Sequence, residues 1–96
     1  MELKMQPDLG EINVINAKKF MHIDYDVDDE RISFLLETAR EYIQDTLDNY
    51  DESKFRVRFL VFALTETLRQ NPEYISKMDV EKLPYHIRSM INQLNL

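Results

Sequence analysis

The chain contains no cysteine and no tryptophan, and it has a single glycine and only three prolines in 96 residues. Without cysteine, neither a disulfide framework nor a thiolate metal site can form, and nothing in the sequence requires an oxidising compartment. So few glycines and prolines do not suit the many tight turns of a β-rich domain, whereas Leu, Ile, Glu, Arg and Lys are common. We therefore expect an all-α protein of cytosolic origin.

Long apolar segments are also missing. The longest apolar run, Phe59 to Leu64, is far shorter than the ~20 residues of a membrane-spanning helix, and the N-terminus lacks the pattern of a signal peptide. The length suffices for one modest core but not for two domains. We expect a soluble single domain over residues 13–96, preceded by an N-terminal arm, residues 1–12, that stays outside the core.

Charge is divided unevenly along the chain. Residues 1–52 carry five Lys or Arg against fourteen Asp or Glu, a net of −9, whereas residues 53–96 carry seven against four, a net of +3. A protein that binds nucleic acid through phosphates needs a surface rich in Lys and Arg, and here only the second half has a small excess. The charge therefore disfavours specific nucleic-acid binding.

Hydrophobic periodicity predicts three helices in residues 13–70. Asn13 suits the N-cap of a short first helix that ends before an acidic loop at residues 22–28. The second helix runs from about Asp29 to Asp48, and Asp26 or Asp28 is expected to cap it. Its apolar stripe comprises Ile32, Leu35, Leu36, Ala39, Tyr42, Ile43 and Leu47. The third, residues 54–70, is apolar around most of its girth and should be central, with Phe59, Leu64 and Leu68 packing on Leu36, Ala39 and Ile43.

A fourth helix is predicted at the end of the chain. Pro84 suits the first position of a helix, and Ile87, Met90, Ile91 and Leu94 then share one face. A helix this short is not stable alone, so its apolar face must be buried against another surface. Residues 73–82 form the linker that precedes it.

The string Asp24 to Asp28 alternates carboxylates like the start of an EF-hand calcium loop. The rest of that loop is absent, because the sixth position is Asp29 instead of Gly and the twelfth is Leu35 instead of Glu. His22 and His86 lie in separate segments without a catalytic or zinc-binding pattern around them. We therefore expect no metal, no cofactor and no active site.

Six residues are candidates for contact with another subunit or partner. Phe34 is predicted to point away from the buried stripe, where an aromatic side chain has no role unless another segment covers it. Arg56 and Arg58 flank the apolar run of the third helix and have two possible roles. They could bind a phosphate together, or their aliphatic stems could lie over apolar surface while their guanidinium groups pair with acidic side chains. The full set is Phe34, Arg56, Arg58, Tyr85, His86 and Arg88.

The segments Thr38 to Ile43 and Leu83 to Asn92 resemble the small helical head–tail connector proteins of tailed bacteriophages. Members of that family close on a Leu-Pro-aromatic-x-aliphatic-Arg-Ser-aliphatic-aliphatic pattern, which this chain matches from Leu83 to Ile91. The resemblance extends to the first helix and the acidic turn after it, and it covers about residues 13–92. It implies a fold of about four helices.

The resemblance also implies a function. Such proteins assemble as homo-oligomeric rings beneath the portal, extend the DNA channel and offer a docking surface to tail-completion proteins. The expected location is therefore the head–tail junction of the virion, and the host cytoplasm before assembly. An acidic surface suits this role, because a channel that grips DNA would impede its passage. The alternative is a small helical adaptor or regulator that binds a partner protein as a monomer or dimer.

Overall fold

The computed structural model describes residues 9–96, and this part of the chain is helical without strands. Four α-helices follow one another: α1 (Val14–Met21), α2 (Asp29–Thr46), α3 (Phe55–Gln70) and α4 (Tyr85–Leu94). Two short 3-10 helices, Pro72–Ile75 and Val80–Lys82, occupy the linker before α4. The all-α prediction with about four helices is confirmed, and each α-helix boundary lies within two residues of its expected place.

Helix α1 begins where the sequence predicts. The Asn13 side chain accepts a hydrogen bond from the Asn16 N–H at 2.8 Å, which satisfies one of the free donors at the helix start. At the other end His22 adopts a left-handed conformation (φ 61°), and its backbone N–H reaches the last carbonyls of the helix. The loop that follows turns the chain back into α2.

The start of α2 differs from the expectation. Asp28 occupies the N-cap position, but its side chain makes no capping hydrogen bond, and the Asp26 carboxylate binds Lys18 instead. Asp29 and Glu30 in the first turn still place negative charge at the positive end of the helix dipole. The expected side-chain cap is therefore wrong, and the acidic turn contributes through its charge.

Helix α3 is the centre of the fold. It contacts α1, α2, α4 and the first 3-10 helix, which explains why apolar residues surround most of its girth. Leu64, Leu68 and the α2 residues Leu36, Ala39 and Ile43 are buried as predicted. Phe59 is only partly buried, and the aromatic ring at the centre of the core is Phe62, which is fully buried.

The short last helix is held by the rest of the domain. Ile87 and Ile91 are buried against the core, with Met90 and Leu94 packed at its edge. Pro84 precedes the helix as N-cap rather than as its first residue. At the far end the Asn95 side chain donates to the Thr46 carbonyl at 3.1 Å and accepts from the Asp48 N–H at 2.9 Å, which ties the ends of α4 and α2 together.

The arm proposed for residues 1–12 lies largely outside the described residues. Within the part that is described, Ile12 is only 8% exposed and belongs to the core, and Leu9 packs against it. The expectation that the arm stays outside the core is therefore wrong for Leu9 and Ile12, whereas Glu11 is exposed. Ile12 lies directly before the Asn13 cap and shares a depression with Arg40 of α2 and Arg58 of α3.

Candidate partner interface

Phe34 projects from the solvent face of α2, as its helical spacing predicts. Its side chain is 58% exposed, and it lines a shallow depression with Glu37, Thr38, Glu41 and Gln44, all from the same helix. Burial of the opposite stripe of α2 fixes this orientation. No other described segment folds over Phe34, so the ring is presented to solvent within an acidic surface.

A second aromatic feature lies between α1 and α3. The rings of Phe20 and Phe59 meet edge to face with centroids 5.4 Å apart, and Phe55 lies 6.2 Å from Phe59. All three rings are partly exposed, and with Leu9 they form the apolar part of a pocket of about 360 Å³. We call this the aromatic pocket.

Basic side chains border the aromatic pocket. Lys19 and His22 contribute to its lining, and none of its described lining residues is acidic. Lys54 and Arg56, which flank Phe55 in the chain, are exposed. Arg56, one of the six predicted contact residues, follows Phe55 in the chain but is not among the residues that line this pocket, and sequence reasoning did not predict the pocket. The i, i+4 spacing of Phe55 and Phe59 was the available signal, but Phe59 had been assigned to the core.

Arg58 has a different environment from Arg56. One of its terminal nitrogens donates to the backbone carbonyls of Glu52 and Ser53, at 2.9 Å each, and its Nε is buried without an acceptor. The guanidinium thus fastens the loop before α3 to the helix itself. The contacts of Arg58 favour the structural interpretation of this side chain over the phosphate clamp, whereas Arg56 is exposed.

Arg58 lines a depression of about 510 Å³ together with the ion pair between Arg40 and Glu52. The Arg40 guanidinium binds the Glu52 carboxylate with two parallel hydrogen bonds, Nη2 to Oε1 at 2.8 Å and Nε to Oε2 at 2.5 Å. Tyr50 donates its hydroxyl to the same carboxylate. The Arg40 hydrogen bonds lower the pKa of Glu52, while burial and the neighbouring carboxylate raise the pKa of Tyr50. This cluster joins α2 to the loop that leads into α3.

The start of α4 brings together the other three predicted residues. Tyr85 is 73% exposed, His86 is exposed, and the Arg88 guanidinium lies 5.6 Å from the Tyr85 ring centroid. Arg88 also donates from Nε to the Leu83 carbonyl at 3.0 Å. The six predicted residues therefore occupy three separate places: α2, the first turns of α3, and the start of α4.

The acidic loop carries an ion pair in place of the EF-hand ligand set. Lys18 of α1 lies 2.6 Å from the Asp26 carboxylate and 2.8 Å from that of Asp29. Hydrogen bonding to Lys18 lowers the pKa of Asp26, and the two carboxylates raise the pKa of Lys18. Across residues 9–96, no group of three or more His, Asp or Glu side chains is placed to hold a metal ion.

The fold and surface define a small helical protein whose exposed aromatic side chains suit contacts with other proteins. No helix among the described residues is long and apolar enough to cross a membrane. The model of the phage gp6-like head-tail connector protein family matches residues 11–95, and the chain therefore belongs to that family. No curated protein and no solved structure gives a significant match. The family is one of structural proteins, and membership implies phage structural partners such as portal and tail proteins.

Proposed function

We propose that this protein is a non-enzymatic subunit of a homo-oligomeric ring at the head–tail junction of the virion, between portal and tail. The observation that carries the proposal is the family match, which spans residues 11–95 and so includes all four helices. In this role the ring extends the DNA channel and offers its outer end to a tail-completion protein. Before assembly the subunit resides in the host cytoplasm.

The charge of the chain supports this role. A net charge of −6 makes the subunit repel DNA on average, which suits a channel that DNA must pass without being held. Several basic side chains are already occupied within the subunit: Lys18 by two aspartates, Arg40 by Glu52 and Arg58 by backbone carbonyls. They are correspondingly less available to phosphates.

The surface also supports assembly through more than one contact. Phe34 on α2 and the Tyr85, His86 and Arg88 group on α4 are exposed at separate places, as a subunit with neighbours on several sides requires. Aromatic and arginine side chains are enriched at the centres of protein interfaces. We assign five of the six predicted contact residues to this subunit and partner surface, and Arg58 is the exception because its guanidinium binds the loop before α3.

Mass measurement and imaging of the purified protein test the proposal. At high protein concentration, sedimentation should show a species much larger than a dimer, and negative-stain images should show closed rings. If the protein stays monomeric or dimeric at every concentration, and also in the presence of the portal protein of its phage, the ring proposal is wrong. That result would favour the adaptor alternative, in which a monomer or dimer binds a single partner.

A further inference from the structure

The Phe34 surface and the aromatic pocket expose aromatic side chains in different ways. One presents a single exposed ring, and the other is a recess of about 360 Å³ walled by the partly exposed rings of Phe20, Phe55 and Phe59. A lone exposed phenylalanine is ordinary by itself, so its exposure alone indicates nothing. The inference depends on the pocket that would receive this ring. There the Phe34 ring would join three aromatic rings whose neighbouring centroids are 5.4 Å and 6.2 Å apart.

Their charges are complementary. Among the described residues, the depression around Phe34 contains Glu37 and Glu41 and no basic side chain. Glu37 lies 3.6 Å from the Arg40 guanidinium, but Glu52 already binds that guanidinium, and the opposite charges of Glu30 and Arg31 one turn earlier offset each other, so this surface keeps an acidic excess. Lys19 contributes to the lining of the aromatic pocket, and none of the described lining residues is acidic. An apolar centre with rims of opposite sign is the usual composition of a specific protein contact.

The two surfaces can be used at the same time. The Phe34 depression is lined entirely by α2, whereas the aromatic pocket is lined by α1, α3 and the segment before α1, and the two share no residue. A contact between unlike surfaces leaves one surface of each kind free at the ends, so subunits continue to add, and a ring closes when the rotation between neighbours divides a full turn. A two-fold contact would stop at a dimer.

We propose that Phe34 of one subunit inserts into the aromatic pocket of the next copy of this chain, with Glu37 and Glu41 facing Lys19 across the rim. This inference rests on the proposed ring and names the contact that builds it.

Loss of the inserted ring provides the first test. Phe34→Ser should raise the protein concentration needed for half-assembly by at least about tenfold, as truncation of a central interface residue does. Val27→Ser is the matched control, since Val27 is 85% exposed but lies outside both surfaces, and it should assemble like the parent. If the parent forms rings and Phe34→Ser forms them equally well, this contact is wrong while the ring proposal stands. If the parent never assembles, either alone or with the portal protein of its phage, both are wrong.

Crosslinking between different subunits tests the pairing directly, because the chain has no native cysteine. Thr38→Cys, beside Phe34, and Lys19→Cys, at the pocket, are purified separately and then mixed, assembled and treated with a short bis-maleimide. A covalent dimer should form in the mixture and be absent when either variant is treated alone. A dimer from Thr38→Cys alone would indicate a two-fold contact and overturn the proposal, as would no product from a mixture that has assembled. Val27→Cys mixed with Lys19→Cys is the control and should give no product.

Discussion

Replacing Glu52 with glutamine should destabilise the domain by removing the charged partner of Arg40. Hydrogen bonds to charged groups contribute about 1.5–3 kcal/mol each. The Arg40 and Glu52 side chains are 31% and 28% exposed, so solvent screens part of the energy of these hydrogen bonds. We expect Glu52→Gln to lower the free energy of unfolding by about 1–2 kcal/mol at neutral pH. In a domain of this size each kcal/mol lowers Tm by about 4–8 °C.

The pH dependence of this loss distinguishes a charge effect from a general packing defect. Hydrogen bonding from Arg40 lowers the pKa of Glu52 below its ordinary value of 4.5. A carboxylate whose pKa is lower in the folded state contributes stability that is complete above the unfolded pKa and disappears as pH falls through the folded pKa. The stability difference between parent and Glu52→Gln should therefore be constant above about pH 5 and shrink progressively below 4.5.

Urea unfolding followed by circular dichroism across a pH series measures this difference. Glu37→Gln is the matched control, because Glu37 lies 3.6 Å from the same guanidinium but its side chain is 62% exposed. Its removal should change the free energy of unfolding by less than about 0.5 kcal/mol. Equal losses for the two variants, or a Glu52→Gln loss that does not change with pH, would contradict the assignment of the stabilisation to the Arg40–Glu52 pair.

Three further predictions concern the core, the acidic loop and DNA. Leu64→Ala should cost about 2–5 kcal/mol in thermal or urea unfolding, because Leu64 is completely buried at the centre of α3, and a loss below about 1 kcal/mol would contradict that burial. Millimolar calcium should leave Tm unchanged, because Lys18 already occupies Asp26 and Asp29; a clear upward shift would show a site there. The protein should not retard duplex DNA at physiological salt in a gel assay, and salt-sensitive retardation at micromolar protein would refute the argument from its charge.

Local sequence determined which segments are helical and which side of most helices is buried. The Asn13 cap, the stripe from Ile32 to Leu47 and the proline before α4 each depend on residues within a few positions of one another, and the structure confirms these helices. The exposure of Phe34 also followed from spacing along a single helix. The family resemblance was visible for the same reason, since its most specific motif is the local pattern at Leu83 to Ile91.

The tertiary structure decided the features that join distant residues. Because α3 is apolar around most of its girth, periodicity could not distinguish Phe62 at the centre of the core from Phe59 at its edge. The sequence therefore did not predict the aromatic pocket. The Asp26 carboxylate was expected to cap α2, yet it binds Lys18 of the preceding helix. Asn95 bonds the Thr46 carbonyl 49 positions away. Such contacts depend on how the helices pack against one another, and one-dimensional spacing carries no information about the distance between side chains on different helices.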